Sequence, residues 1–409
     1  MTLKLIVTAL AAVLAVVAAT AQTRLTLEEC VAMAKRNNYA MRAAQGEVEK
    51  ARALQGTAWA IDNTSLSLGQ DPTSGGSPDN SLTLSQSFDF PTVYTARRRT
   101  LKAETDVAEK RLNVSGKKLV AEISELYMQM VYTLEKKRIL LAQDTLLARY
   151  SAIADIRYKA GEARQLEQLT ASRMLSENRM EIEAADAGFR TMQQRMGFLL
   201  NTESGIFPSD SVLSPVELES VPVLDYSATA EGSLVSSVAE KARREVSEAK
   251  SGWLPTFNVA LRSQLVLKGW NPYDVDRSRF AKGNFMGFEV GIGLPVFFGA
   301  TRAKVKVAVK EREITELYAR QQMKSQESEY SIQRNSLENA RRRMDYYRSE
   351  GLHKASEMAR IAQISYENGD IGYVEYVQAM LDGASTQLKN AEAILEYNRA
   401  ALSLQSITR

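Results

Sequence analysis

The sequence predicts a mainly α-helical protein with a membrane β-barrel, in which long antiparallel α-hairpins are internally duplicated and each chain supplies four β-strands. Three observations predict this class. Long tracts rich in Leu, Ala, Glu, Lys, Arg and Gln contain almost no Pro or Gly. Four short segments alternate apolar with polar residues. The whole order of these features then occurs a second time within the 409 residues.

The first 21 residues are expected to be a secretory signal peptide. Lys4 precedes an apolar run that ends in Ala19-Thr20-Ala21, a small-x-small pattern typical of cleavage. No later apolar run reaches the roughly 18 residues that a transmembrane helix needs, so none is expected in the mature chain. The single cysteine, Cys30, cannot form an intramolecular disulfide and is expected to be a small apolar residue of a helix.

The first repeat is assigned to residues 22–201. It is predicted to contain a helix, a β-hairpin over 64–90, a very long helix, a Tyr-x-x-Gly turn at 158–161 and a returning helix. Within 81–90 the apolar residues occupy alternate positions, which is typical of a half-exposed strand. The following tract has no Pro and one Gly up to Tyr158, and a helix of that length would run roughly 100 Å.

The second repeat is assigned to residues 233–409, after a connecting segment at 202–232 that contains three prolines. It is predicted to contain a helix, a β-hairpin over 256–294, a long helix, a Tyr-x-x-Gly turn at 366–369 and a last helix. Apolar residues of this last helix alternate in steps of four and three, which indicates coiled-coil packing between antiparallel helices. These residues are Val377, Leu381, Ala384, Leu388, Ala391 and Leu395.

The four predicted strands indicate a barrel shared between chains. Strands of about ten residues with alternating polarity are what an outer-membrane barrel uses. Four strands cannot close a barrel, and lipid does not tolerate an open sheet edge. Three copies would supply twelve strands, enough to enclose a lumen, so a homotrimer is expected. A small sheet that caps a soluble helical bundle remains the alternative.

Charge and composition argue against several other functions. The formal charge of +3 gives no reason to expect nucleic-acid binding, and Arg97-Arg98-Arg99 is expected to be a solvated helix start. One histidine, His353, leaves little for acid–base catalysis or a His-rich metal site. Neither a P-loop nor a zinc-binding spacing stands out. The protein is therefore expected not to be an enzyme and to need no cofactor or metal.

The duplicated layout resembles the outer membrane efflux (TolC-like) family over roughly residues 25–407. The resemblance rests on the signal peptide, Trp-Leu-Pro at 253–255, the strand-to-helix prolines Pro91 and Pro295, and the paired Tyr-x-x-Gly turns. It implies a homotrimeric channel in the outer membrane of a Gram-negative bacterium, with a large periplasmic part. The 202–232 segment would belong to the family's equatorial collar.

The implied function is the exit duct of a tripartite efflux pump or a type I secretion system. Its expected partners are outer membrane lipid, a periplasmic adaptor (membrane fusion) protein, and an inner-membrane transporter of the resistance-nodulation-division or ABC type. The alternative is a soluble periplasmic coiled-coil scaffold or adaptor, and an exported helical enzyme lacks any candidate constellation. The sequence leaves the cargo, the particular transporter and the resting state open.

The resemblance also implies a set of residues at the periplasmic tip. Tyr158, Gly161 and Gly369 would form the tip turns where the adaptor docks. Glu375 would form a ring of three carboxylates that favours cations, and Gln378 stands where some relatives have a further acid.

Tyr366 and Glu167 match a pair that holds the tip closed in relatives. Ile371 replaces an Arg of relatives, so the closed network must differ here. The alternative is that these glutamates are ordinary solvated helix residues.

Overall fold

A computed structural model describes residues 23–72, 78–218, 220–265 and 285–408. The expected signal peptide and the turn-rich segment 269–284 lie outside the described residues. In chain order the described elements are β1 Thr23–Leu25, α1 Leu27–Asn37, α2 Tyr39–Leu54, β2 Ser65–Pro72, β3 Pro78–Asp89, α3 Pro91–Lys159, α4 Gln165–Leu200, β4 Ile206–Pro208, α5 Ala230–Ser251, β5 Thr256–Leu265, β6 Phe285–Gly293, α6 Gly299–Tyr346, α7 Leu352–Glu367 and α8 Tyr373–Thr408.

The chain divides into two compact units. Of the described residues, 23–44, 112–230 and 323–408 form one, which we call the helical unit. Residues 45–111 and 231–322 form the other, the sheet unit. In the part of the chain that the structure describes, we find no helix with both the length and the apolar character needed to cross a membrane.

The sheet unit contains one antiparallel sheet in the order β2-β3-β5-β6. The register places Leu84 opposite both Leu66 and Leu261, and Leu261 opposite Phe288. Since side chains alternate along a strand, these apolar residues share one face of the sheet. The predicted alternation of the four strands is therefore confirmed by their register. Arg262 and Asn258 lie at the intervening positions, on the other face.

The apolar face of the sheet is open to solvent in the single chain. Phe288 is 83% exposed, and its neighbours along β6 are similarly uncovered. The exposed apolar side chains of this face are Leu66, Leu68, Leu84, Val259, Leu261, Met286, Phe288, Val290 and Ile292. A patch of this kind normally marks a surface that lipid or another protein covers.

The helical unit is built around one main apolar core. Ile123 and Met130 of α3, Met196 of α4 and Leu404 of α8 are almost completely buried there. Cys30 of α1 is fully buried in the same core, and this burial raises the pKa of its thiol to about 11. The residue therefore packs as a neutral apolar side chain on a helix, as predicted.

Two predicted helices are interrupted in the structure. The first helix of the first repeat is divided at Asn38, whose Oδ1 accepts hydrogen bonds from the N–H groups of Ala40 (2.9 Å) and Met41 (3.2 Å) at the start of α2. The long helix of the second repeat is divided by a π-helical turn over Tyr347–Gly351, between α6 and α7. Both breaks are local changes in backbone hydrogen bonding, and the chain is helical on either side of each break.

Side chains of α3 and α8 hold the connecting segment in place within the helical unit. Asn398 donates to the carbonyl of Ser214 and accepts from the N–H of Val216, both at 2.8 Å. Glu135 accepts from the N–H of Leu213 at 3.0 Å. Three backbone polar groups of a segment with little regular structure are thus satisfied by neighbouring helices. Nearby, β4 pairs in parallel with β1.

Candidate functional site

The first candidate turn joins α3 to α4 and has the geometry of a Schellman motif. Gly161 has a φ of 77°, in the left-handed region. Its N–H donates to the carbonyl of Tyr158 at 3.0 Å, and the N–H of Glu162 donates to the carbonyl of Arg157 at 2.8 Å. These are the two bonds that close a helix at a glycine and reverse the chain.

The second turn repeats the first bond for bond. Gly369 has a φ of 81°, and its N–H donates to the carbonyl of Tyr366 at 3.1 Å. The backbone N–H of Asp370 donates to the carbonyl of Ser365 at 2.8 Å. A Cβ added to either turn glycine would meet no heavy atom within 4 Å. Glycine is therefore favoured at both turns by backbone conformation and not by lack of space.

The two candidate gate glutamates also occupy matching positions. Glu167 lies three residues after Arg164, the N-cap residue of α4, and Glu375 lies three residues after Gly372, which directly precedes α8. The Oε2 atom of Glu375 accepts a hydrogen bond from the N–H of Gly372 at 3.1 Å. This contact is the glutamate half of a capping box. Glu375 is exposed and has no cationic partner among the described residues.

Glu167 has a different partner from Glu375. Its Oε1 atom lies 3.1 Å from Nη1 of Arg157, on the preceding helix, and this ion pair spans the first turn. No hydrogen bond joins Glu167 to Tyr366 in the described part of this single chain. Gln378 is exposed on α8, one turn beyond Glu375.

Tyr366 instead joins a cluster of tyrosines that was not predicted from the sequence. Its ring stacks on Tyr376 with centroids 4.9 Å apart, and it lies 5.4 Å from Tyr373. The ring of Tyr373 in turn contacts that of Tyr150 of α3, with centroids 5.9 Å apart, and this contact links the second hairpin to the first. The spacing of Tyr373 and Tyr376 on one helix face was the available signal.

Burial shifts the pKa values of two tyrosines in this cluster further from physiological pH. It raises the pKa of Tyr150, and the carboxylate of Glu167 raises it further. Burial also raises the pKa of Tyr373, with smaller contributions from Tyr366 and Tyr376. Both phenols are therefore neutral at physiological pH. Beneath them a small core of Leu147, Ala154, Ala171 and Val377 packs α3, α4 and α8 together.

The two strand-to-helix junctions also form a matched pair in the sheet unit. Pro91 is the first residue of α3, a position that suits its fixed φ and missing N–H. Pro295 lies between β6 and α6. Three residues after each proline, an aromatic ring stacks on the tryptophan that precedes the hairpin. Tyr94 contacts Trp59 and Phe298 contacts Trp253, both with centroids 5.5 Å apart.

The family comparison covers the second of these repeats. Residues 238–408 match the family model described as outer membrane efflux protein. Over these residues the chain has the sequence pattern of that family. The resemblance predicted from the sequence is thus confirmed over these residues, and the first repeat contains the same turns and aromatic pairs. No curated protein sequence matches the chain.

Solved structures of outer membrane proteins share the fold of this chain. A membrane protein from Pseudomonas aeruginosa has a TM-score of 0.78 at 16% identity, over 94% of this chain and 93% of that one. The Campylobacter jejuni CmeC outer membrane channel has a TM-score of 0.75 at 14% identity, over 93% and 85%. The outer membrane protein VceC from Vibrio cholerae has a TM-score of 0.72 at 14% identity, over 93% and 96%.

Proposed function

We propose that this protein is the outer-membrane exit duct of a tripartite efflux pump or type I secretion system in a Gram-negative bacterium. The observation that carries the proposal is the exposed apolar face of the four-stranded sheet, taken together with the family match. Water disfavours such a face, and the hydrocarbon core of a bilayer accommodates it. The polar face of the same strands would then line a wet lumen.

The proposed assembly is a homotrimer. In the described part of a single chain, β2 and β6 are the edges of the sheet. Unpaired edges in lipid cost several kcal/mol for each unsatisfied group, so they must pair with other strands. Three chains would pair β2 of one copy with β6 of the next and close twelve strands. No covalent reaction is proposed for the protein.

The proposed periplasmic part consists of the helical unit, with its paired turns toward the inner membrane. Tyr158, Gly161 and Gly369 would contact a periplasmic adaptor protein, and an inner-membrane transporter of the resistance-nodulation-division or ABC type would supply the energy. Glu375 and Gln378 would line the aperture. Tyr366 and Glu167 would belong to its closed state through separate local contacts, Tyr366 with the tyrosine cluster and Glu167 with Arg157.

Membrane extraction tests this proposal directly. The full chain, expressed in a Gram-negative host, should leave the outer membrane only in detergent and run as a trimer that dissociates on heating. The purified trimer should conduct ions in a planar bilayer. A water-soluble monomer without conductance would refute the proposal and would favour the periplasmic scaffold or adaptor.

A further inference from the structure

Each strand-to-helix junction is followed by the same arrangement of cations. Arg98 and Lys102 lie seven and eleven residues after Pro91, and Arg302 and Lys306 lie seven and eleven residues after Pro295. The first twelve residues of α3 and of α6 contain no acid. Their cations are Arg97, Arg98, Arg99 and Lys102 in α3, and Arg302, Lys304, Lys306 and Lys310 in α6.

Most of these cations have no counter-ion among the residues that the structure describes. In the described residues, Arg97 pairs with Asp89 at 3.4 Å and Lys310 pairs with Glu313 at 2.6 Å. The other six form no ion pair there. All six are exposed, as was expected for Arg98 and Arg99. Neither helix has an acid in its first turn, where the helix dipole normally favours one. The positive charge is therefore available to an external anion.

The cations directly follow an apolar and aromatic surface. Along the chain, the exposed apolar face of the sheet leads to the Trp–aromatic pairs, and Phe297 beside the second pair is 92% exposed. Lys102 is two helical turns beyond Tyr94, which corresponds to roughly 12 Å along the helix. A membrane protein shows this same order where it passes from the hydrocarbon core through the interface to the headgroups: apolar strands come first, aromatic rings next and cations last.

We propose that Arg98, Lys102, Arg302 and Lys306 form a belt that binds anionic phospholipid headgroups of the periplasm-facing leaflet. The proposal rests on the proposed function, since it needs the sheet to lie in the outer membrane. Charge complementarity selects an anionic headgroup, such as that of phosphatidylglycerol, over a zwitterionic one. Continuity with the exposed apolar face selects a bilayer lipid over a free anion.

The test compares two sets of four substitutions in the full-length trimer. The belt variant is R98Q/K102Q/R302Q/K306Q. The control variant, R173Q/K324Q/R334Q/R341Q, removes four exposed cations that pair with acids on their own helices.

Phosphatidylglycerol binding is measured by titrating the lipid into purified trimer and recording the temperature at which the trimer dissociates. Wild type and control should bind phosphatidylglycerol on the order of 10- to 100-fold more tightly than the belt variant, because each cation near a lipid surface contributes to binding. The difference should largely disappear at about 1 M salt.

Several outcomes would overturn the belt. Equal phosphatidylglycerol affinity in wild type and belt variant would do so. A belt variant that changes only the reversal potential of the channel would place the cations in the lumen. A belt variant that is monomeric in detergent would show that the cations pair with acids of a neighbouring copy. Failure of the proposed function would be distinguishable, because wild type would then not insert into vesicles of phosphatidylcholine alone.

Discussion

Glu167 and Glu375 occupy equivalent positions in α4 and α8 but have different electrostatic surroundings. Arg157 neutralises Glu167 across the first turn, whereas Glu375 is exposed and, among the described residues, accepts a hydrogen bond only from a backbone N–H. The sequence predicted the positions of both residues, because the Tyr-x-x-Gly turns fix the register. It could not predict their partners, since the side chain of Arg157 reaches Glu167 only after the chain has reversed.

Replacing Glu375 by Gln should lower the cation preference of the channel. Gln can still accept the Gly372 N–H through its side-chain carbonyl, so the change removes charge and keeps the helix start. The measurement is the reversal potential in a planar bilayer under a salt gradient, together with block by a trivalent cation. Glu167→Gln is the matched control, and its effect should be much smaller because Arg157 already offsets that charge. Unchanged selectivity and unchanged block in E375Q would refute a carboxylate ring.

The helices and strands themselves were largely predictable from residue patterns. Prolines mark the junctions, glycines mark the turns, and alternation marks the strands, because each of these signals acts over a few residues. The breaks at Asn38 and at Tyr347–Gly351 were not predicted. Asn38 is fixed by a hydrogen bond from its Nδ2 to the carbonyl of Leu199, 161 residues away. The π-helical turn contains no Pro, and Gly351 is the one local signal within it.

Alanine at Gly161 or Gly369 should destabilise the helical unit by about 1–2 kcal/mol per site, the cost of a Cβ in the left-handed region. The measurement is the midpoint of denaturant unfolding of the detergent-solubilised protein. Gly188→Ala, within α4, is the control. A Cβ there also meets no heavy atom within 4 Å, so this change should stabilise by up to about 1 kcal/mol. Equal effects at the turn and helix sites would contradict the backbone explanation.

Asn398→Ala should loosen the connecting segment. The change removes the bonds to Ser214 and Val216, and two hydrogen bonds correspond to about 2 kcal/mol. Limited proteolysis should then cut within residues 202–222 faster than in wild type. Lys389→Ala, an exposed change on the same helix, should leave the cleavage rate unchanged. Resistance of N398A to the protease would show that other contacts hold the segment.

At the scale of the whole molecule, the exposed apolar face of the sheet allows the most specific prediction. Val290→Lys places a charge on the exposed apolar face and should cost about 2–4 kcal/mol per chain if that position lies near the bilayer midplane. The yield of heat-sensitive trimer in the outer membrane should fall accordingly. Asn258→Lys, on the opposite face, should assemble normally. Normal assembly of V290K with loss of N258K would reverse the proposed orientation of the sheet.

The duplication was the feature of the whole molecule that could be predicted most completely. It shows in sequence because both copies need glycine, proline and tryptophan at the same places. What differs between the copies was hidden, as Tyr150 of the first hairpin and Tyr373 of the second meet only in the folded chain. Contacts of this kind depend on packing between distant segments, and no local pattern specifies them.

The matched geometry of the two turns has a consequence for stoichiometry. In the proposed trimer, six turns of nearly identical backbone would alternate, three with a neutralised carboxylate and three with a free one. A partner present in six copies would therefore meet two chemically distinct docking environments in alternation. Identical partner chains would have to bind in two modes, or divide into two sets of three with different affinities.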